Sequence, residues 1–417
     1  MQKFEKHSPV VVTEVTTKHE LRQFMQYPNR LYADNPNYIP SFYGDDLSDW
    51  TPGKNPAFDY CEARCWLAWR DGEIVGRIGA ILSHKANDKF GTHRMRFSQV
   101  DFVDDSEVSA ALFGMVERWA REKGCDQVHG PLGFTDMDRE GMLVEGFDRR
   151  SLFFTNYNAP YYLEHLTRLG YRKDVDWIEY RITVPAPGSA EAERLHKLSE
   201  FILKRKNLHV ATVHHKSEYG PFVRQVFELV NAAYAPLYGV VELSDEQIER
   251  YANKFIPLVD PEFVCFVLDK QDKLVAFGVT ALDPSVALKH SDGRLFPFGW
   301  AGVLNDLHHS DTLIMLLTAV RPDLQTEGIN AVMMDHVCQS CNRHGVQFAE
   351  TGPMLELNDH ILAQWKRLEK EQHKRRRCFI KDLDHDVNAA NAAAAAAEEA
   401  AEEEDAEDAE SETEPEA

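Results

Sequence analysis

No stretch of this sequence is apolar for long enough to cross a bilayer. The longest runs, such as Leu313–Leu317, fall far short of the roughly twenty residues a spanning helix needs. The opening MQKFEKHSPV lacks the apolar segment of a secretory signal, so the expectation is a soluble, cytoplasmic protein with no membrane insertion. Cysteine is sparse, 7 in 417 residues, which argues against a disulfide framework. Cys338 and Cys341 have a metal-like separation, but they fall in a helical pattern with no second pair to match, and no metal site is expected there. Basic residues are in deficit, 46 Lys and Arg against 68 Asp and Glu. The formal net charge of -22 does not draw in nucleic-acid backbone, so no nucleic-acid partner is expected. Twelve of the acids lie between Asn391 and Ala417 with no base among them, and without that stretch the balance is -10. Nucleophile-elbow, HExxH and complete P-loop motifs are all missing.

What is present is a hydrophobic fraction of 43%, enough for two ordinary domains over this length. Val10–Val15 reads as a strand, and Thr17 with Glu20 three residues on is a capping box opening a helix. Tyr32–Pro56, rich in Pro, Asn, Asp and Tyr, reads as a long irregular loop of the kind that lines pockets. A hairpin follows, CWLAWR, the turn Asp71-Gly72, then IVGRIGAIL. A strand over Arg96–Phe102, an amphipathic helix over Val108–Glu122 stopped by Gly124, a strand over Cys125–His129, a helix over Tyr161–Leu169 and a long strand over Val175–Val184 complete a unit. PAPG at 185–188 marks a boundary, and the same order recurs behind it. Phe263–Asp269 and Leu274–Leu282 form the second hairpin, Leu313–Val320 is a fully apolar central strand, and Ile329–Asn342 is a helix closed near Gly345. The second unit adds an insertion between Pro284 and Ser310. The basic run Lys374–Arg377 is expected to be a solvated turn into an edge strand. The Ala/Glu-rich tail buries too little apolar surface to fold and is expected to be disordered.

Chemistry concentrates in Ala319–Asn330, AVRPDLQTEGIN. An apolar strand ends at Val320, and a polar turn holds Gly328 just ahead of an amphipathic helix. Backbone N–H groups in such a turn, together with the helix N-terminus, suit a phosphate, although strand–turn–helix connections without a ligand are common.

Here the sequence resembles the GNAT superfamily of acyl-CoA N-acyltransferases, and more narrowly the bacterial type with two such domains in tandem. The resemblance covers residues 10–384. The superfamily loop Q/R-x-x-G-x-G/A is matched by Gln325-Thr326-Glu327-Gly328-Ile329-Asn330, with Asn330 in place of the final small residue. The resemblance implies an α/β (α+β) chain of two domains with mixed central sheets, 1–185 degenerate and 186–384 carrying the cofactor loop, followed by the tail at 385–417. It implies acetyl-CoA or another acyl-CoA as cofactor, bound at Val320, Gln325–Asn330 and Asn358, the asparagine opening the following helix. The family's tyrosine acid is replaced by Trp365 in the second unit and Leu166 in the first. The first unit has the acidic turn Asp104-Asp105-Ser106-Glu107 where the loop belongs, which repels pyrophosphate.

Acyl transfer to an amine needs a base, for which Glu350 and Glu356 are the candidates. His129, Asp136 and Asp138 in HGPLGFTDMD, with Tyr157, Asn158 and Tyr161, are candidates for lining the substrate cleft. Two functions stay open: transfer of an acyl group to a small-molecule or protein amine, and a non-catalytic module that binds acyl-CoA or a protein with a degenerate acyltransferase fold.

Overall fold

The computed structural model describes residues 8–383, so the predicted disordered tail lies outside the described residues. The first half runs β1 (Val11–Glu14), α1 (Lys18–Leu31), α2 (Tyr43–Asp49), β2 (Cys61–Arg70), β3 (Glu73–Ser83), α3 (His84–Phe90), β4 (Arg94–Phe102), α4 (Ser106–Glu122), β5 (Gln127–Gly130), β6 (Met142–Glu145), α5 (Tyr161–Arg168) and β7 (Arg172–Thr183). After the linking helix α6 (Ala190–Lys206) come β8 (His209–Val210), α7 (Gly220–Tyr234), α8 (Asp245–Phe255), β9 (Val264–Leu268) and β10 (Leu274–Leu282). The insertion forms α9 (Ser285–His290) and α10 (Gly299–His309). The chain ends with β11 (Thr312–Val320), α11 (Asn330–His344), β12 (Phe348–Glu350), β13 (Met354–Leu355), α12 (Asp359–Ala363) and β14 (Lys370–Asp382).

Local chemistry sets the elements. The Thr17 hydroxyl accepts the Glu20 N–H at 3.2 Å and the Glu20 carboxylate accepts the Thr17 N–H at 2.8 Å, the expected capping box. Asp71 and Gly72 both have positive φ, 52° and 81°, which gives the β2–β3 turn the twist its strands require. Val108, Leu112, Val116 and Trp119 of α4 are buried against the first-half sheet. Gly76 of β3 lets α4 come close, since a Cβ there would stand 2.7 Å from Leu112 Cδ1. In the second half, α7 and α8 cover one sheet face through Phe227, Val230 and Tyr251, and α6 and α11 cover the other through Ile202, Val332 and Met333.

All but two short strands form one path, β1-β2-β3-β4-β5-β14-β7-β12-β11-β10-β9-β8. The two halves exchange their closing strands. β7 ends the first half in sequence but pairs with β12 of the second, while β14, last in the chain, pairs with β5 of the first. Between them β7 and β14 run antiparallel from Lys370 opposite Ile182 to Ile380 opposite Arg172.

β14 corrects the expectation for the basic run. Lys374–Arg377 is the middle of a central strand, and the side chains of Lys374 and Arg376 have 0% exposure. Strand alternation sends these two to one face and Arg375 and Arg377 to the other. Lys374 Nζ lies 3.0 Å from Glu179 and 3.2 Å from Glu350, and Arg376 Nε donates to Glu179. On the opposite face Arg375 and Arg377 both bind Asp176, at 3.1 and 2.8 Å. The run is therefore spent on carboxylates inside the sheet.

Candidate functional site

In the second half, β11 and β12 pair in parallel only from Thr312–Ile314 to Phe348–Glu350. β11 continues to Val320, but the chain after β12 turns toward β7, where the Thr351 N–H donates to Tyr180 O and the Thr351 hydroxyl accepts the Tyr180 N–H, at 2.9 and 2.8 Å. The two strands thus splay apart. The register of β11 against β10 also shifts between Val279 and Thr280, leaving Leu316 as an extra residue, a bulge beside the opening. Of the carbonyls along this stretch, Thr318 O accepts the Tyr234 hydroxyl at 2.8 Å. Beneath the splay runs an apolar cleft lined by Leu313, Met315, Met333, Met334, Val337 and Trp365, with Asn330 at its rim.

The predicted phosphate loop sits at the end of the free stretch. Pro322–Leu324 makes one turn of tight helix, and the Gln325 side-chain amide donates back to Val320 O at 3.3 Å. Gly328 has φ +79°, a conformation that favours glycine, and Ile329 is buried beneath it. Within this turn the Glu327 N–H donates to Leu324 O at 3.1 Å, and among the described residues the N–H groups of Thr326, Gly328, Ile329 and Asn330 form no comparably close hydrogen bond. Amides so placed ahead of a helix are donors that an anion can take up. The Glu327 carboxylate pairs with Lys206 of α6 at 2.6 Å, and this hydrogen bond lowers its pKa. The negative charge in the motif is thereby matched by a cation from outside the loop.

Other expected site residues are spread more widely. Asn358 caps α12, its side-chain oxygen accepting the Ile361 N–H at 3.3 Å. Trp365 is buried in the cleft wall with its indole N–H 3.2 Å from Met354 Sδ. Glu350 is on β12 next to Ala349, which lines the cleft, but its own side chain is buried against Lys374. Glu356 pairs with Lys173 and Arg375, the latter at 2.8 Å.

The first half repeats the splay and closes it. β4 pairs with β5 only over Arg94–Arg96, and a bulge follows at Gln99, φ 46°. At the end of this strand the Phe102 N–H donates to Tyr162 Oη at 2.8 Å and Phe102 O accepts from Tyr161 Oη at 2.5 Å. The acidic turn is tied by Arg70 to Asp105 and Glu107, both at 2.6 Å. Tyr157 accepts from Asn35 at 2.7 Å, and Asn158 accepts the Leu143 N–H at 3.0 Å. His129 Nδ1 lies 2.9 Å from Tyr238 Oη, which donates to Asp174 at 2.5 Å. Burial, reinforced by Arg96 and Arg94, pushes the pKa of His129 down.

The turn after β5 borders a groove between the halves that the sequence did not reveal as a unit. Asp138 lies on it beside Ser98, Gln99, Tyr251 and Lys254, with Asp45, Asp46 and Asp49 of α2 across from them. Asp46 pairs with Arg139 at 2.7 Å and Asp49 with Lys254 at 2.8 Å. Asp138 accepts the Phe134 N–H at 2.8 Å, and burial raises its pKa, as it raises that of Asp45. Asp136, nearby, is pushed up to about 6 by burial. The sequence offered two signals for it, Asp138 and the segment Tyr32–Pro56 that contains α2. The groove and the apolar cleft approach each other at Gly352, where a Cβ would lie 3.5 Å from both Met315 O and the Phe154 ring. Met315 lines the cleft and Phe154 the groove.

No family model matches the chain. Among curated proteins it is 27% identical over 383 residues to Protein YghO of Escherichia coli (strain K12), covering 89% of this chain and 95% of that protein. It is 28% identical over 300 residues to the Bacterial ceramide synthase of Caulobacter vibrioides (strain NA1000 / CB15N), covering 70% and 75%. Among solved structures, a tandem GNAT protein from the clavulanic acid biosynthesis pathway superposes with a TM-score of 0.51 at 13% identity, covering 89% of this chain and 98% of its own. The GCN5-related glucosamine N-acetyltransferase region of a fungal multi-domain β-N-acetylglucosaminidase also gives 0.51, at 11% identity, covering 90% and 38%. These likenesses establish a GNAT-like fold, and one of them is a tandem protein.

Proposed function

We propose that this chain is an acyl-CoA-dependent N-acyltransferase that joins a long acyl chain to a lipid-like primary amine. The observation that carries the reading is the stretch of β11 left unpaired on its β12 side, which leads into the glycine turn before α11 and overlies an apolar cleft. A phosphate-bearing ligand with a long apolar arm fits that combination: the amides of Gln325, Thr326, Gly328, Ile329 and Asn330 take the pyrophosphate, and Val320 and Asn358 flank the arm. When bound, acyl-CoA supplies a thioester carbonyl for attack by the amine. The three methionines of the cleft adapt to a flexible chain, which favours a long acyl group over acetyl. Support for a lipid amine comes from the relative named as a ceramide synthase, since a ceramide is a fatty amide of a long-chain amino alcohol.

The acceptor enters by the groove on the other face of β11. Asp45 and Asp138 there receive an ammonium group, and the Asp138 carboxylate, whose pKa burial raises, would take one of its protons so that the neutral amine can attack. As the C–N bond forms the C–S bond would break, and the departing thiolate would take the second proton to leave as free CoA thiol. Glu350 and Glu356 remain held by Lys374 and by Lys173 and Arg375. Backbone N–H groups at the Leu316 bulge polarise the carbonyl.

The test uses the purified full chain with acetyl-CoA, octanoyl-CoA and palmitoyl-CoA against sphinganine and a panel of short amines, following thiol release and the mass of the amide. Turnover is expected with palmitoyl-CoA and sphinganine, and Met333→Trp, which fills the cleft, should shift preference toward octanoyl-CoA. Binding of CoA without amide formation from any pair would favour the non-catalytic alternative. Absence of CoA binding would sink the enzyme and the acyl-CoA-binding module alike, and leave a protein-binding module.

A further inference from the structure

The insertion that distinguishes the second half carries, within residues 286–304, five of the eleven exposed large apolar side chains among the described residues. Phe296 and Phe298 are each 81% exposed, with Val286, Trp300 and Leu304 around half exposed beside them. This is not a loose loop. The Trp300 N–H donates to Leu295 O at 2.8 Å, the Ala301 N–H to Phe298 O at 3.2 Å, and the Trp300 indole N–H to Pro297 O at 3.1 Å. With its indole donor satisfied internally, the ring can leave water without stranding a polar group. Underneath, Leu288, Val303 and Leu307 pack on Phe42 and Phe153, which line the acidic groove.

The chemistry of the patch selects its partner. Its exposed formal charges, Arg294 and Asp292, cancel, on a chain whose net charge is -22. A neutral face is the part of an acidic protein that can approach an anionic lipid surface without like-charge repulsion. Aromatic rings on a rigid projection are what an interfacial anchor needs, since they bury apolar surface at the headgroup boundary without crossing it. We propose that the α9–α10 insertion docks the protein on an anionic bilayer and thereby brings the groove to a membrane-borne amine. The docking stands on the patch alone; delivery of the acceptor rests on the acyltransferase function proposed above.

Flotation of the full chain with vesicles of phosphatidylcholine and phosphatidylglycerol in equal parts tests this. The unaltered protein should float, and Phe296→Ser/Phe298→Ser/Trp300→Ser should lower vesicle affinity by at least about tenfold with an unchanged melting temperature. Trp300→Phe alone should retain flotation while removing a vesicle-induced blue shift of tryptophan emission. Failure of the unaltered protein to float, equal flotation of the triple variant, or self-association of the soluble chain through these rings would overturn the proposal. Amine acylation is then compared for sphinganine in vesicles and in detergent micelles, with loss in the triple variant expected only for vesicles. Flotation without acylation in either form would sink the acyltransferase function and leave the docking intact.

Discussion

Glu179 shows how a single side chain holds the centre of the sheet. Burial opposes its charge, but Arg376 and Lys374 outweigh that and hold its pKa down to about 2. Removing one member of such a set leaves charges buried without a partner. Glu179→Gln is therefore expected to lose about 3–5 kcal/mol of stability in a urea titration. The pH dependence has a definite sign. A carboxyl whose pKa falls on folding contributes fully above the ordinary carboxylate range, and that contribution drains away as pH falls toward about 2. The variant's stability should change less across that acidic window than the unaltered protein's. An unaltered slope in the variant would show that Glu179 is not the group responsible.

Among the elements, the turn into α11 is the most exacting. Gly328 holds φ +79°, and a Cβ there would stand 3.2 Å from Ile202 Cδ1. Gly328→Val strains the backbone by about 1–3 kcal/mol and tilts the neighbouring amides, so CoA affinity by calorimetry should fall by about tenfold or more. Unchanged affinity would mean that this turn is not where the phosphates bind. Elements of this kind were legible in the sequence because their causes are local. The capping box at Thr17, the Asp71-Gly72 turn and the glycine ahead of α11 each fit within a few residues. The helix α8, Asp245–Phe255, is likewise opened by a local capping box of Ser244 with Gln247. The basic run of β14 was misjudged because the partners that neutralise it, Glu179, Glu350 and Asp176, are distant in sequence. Likewise, nothing near Phe102 announces that two tyrosines about sixty residues on will occupy its amide and carbonyl. The groove was legible in part, through Asp138 and the segment Tyr32–Pro56, but nothing local marks the wall that comes from α8.

At the scale of the molecule, exchange of β7 and β14 makes each half a condition of the other's sheet. Residues 1–186 expressed alone would expose the edge of β5 that β14 covers, and residues 187–417 would expose β12. Each fragment is expected to aggregate or remain unfolded, and co-expression to restore a soluble complex. The full chain should unfold in one calorimetric transition. Two separated transitions would show that the halves are independent.

The position of β14 also has a consequence for how the protein is made. β5 ends at Gly130, but the part of β14 that pairs with it is Phe379–Asp382, so a ribosome must add 252 further residues before the first sheet can close. At about 5–20 residues per second, that edge stays bare for about 13–50 seconds of every synthesis. A stop codon ahead of Lys370 would therefore yield a chain in which nearly every strand has been made and the one that joins the two sheets is missing.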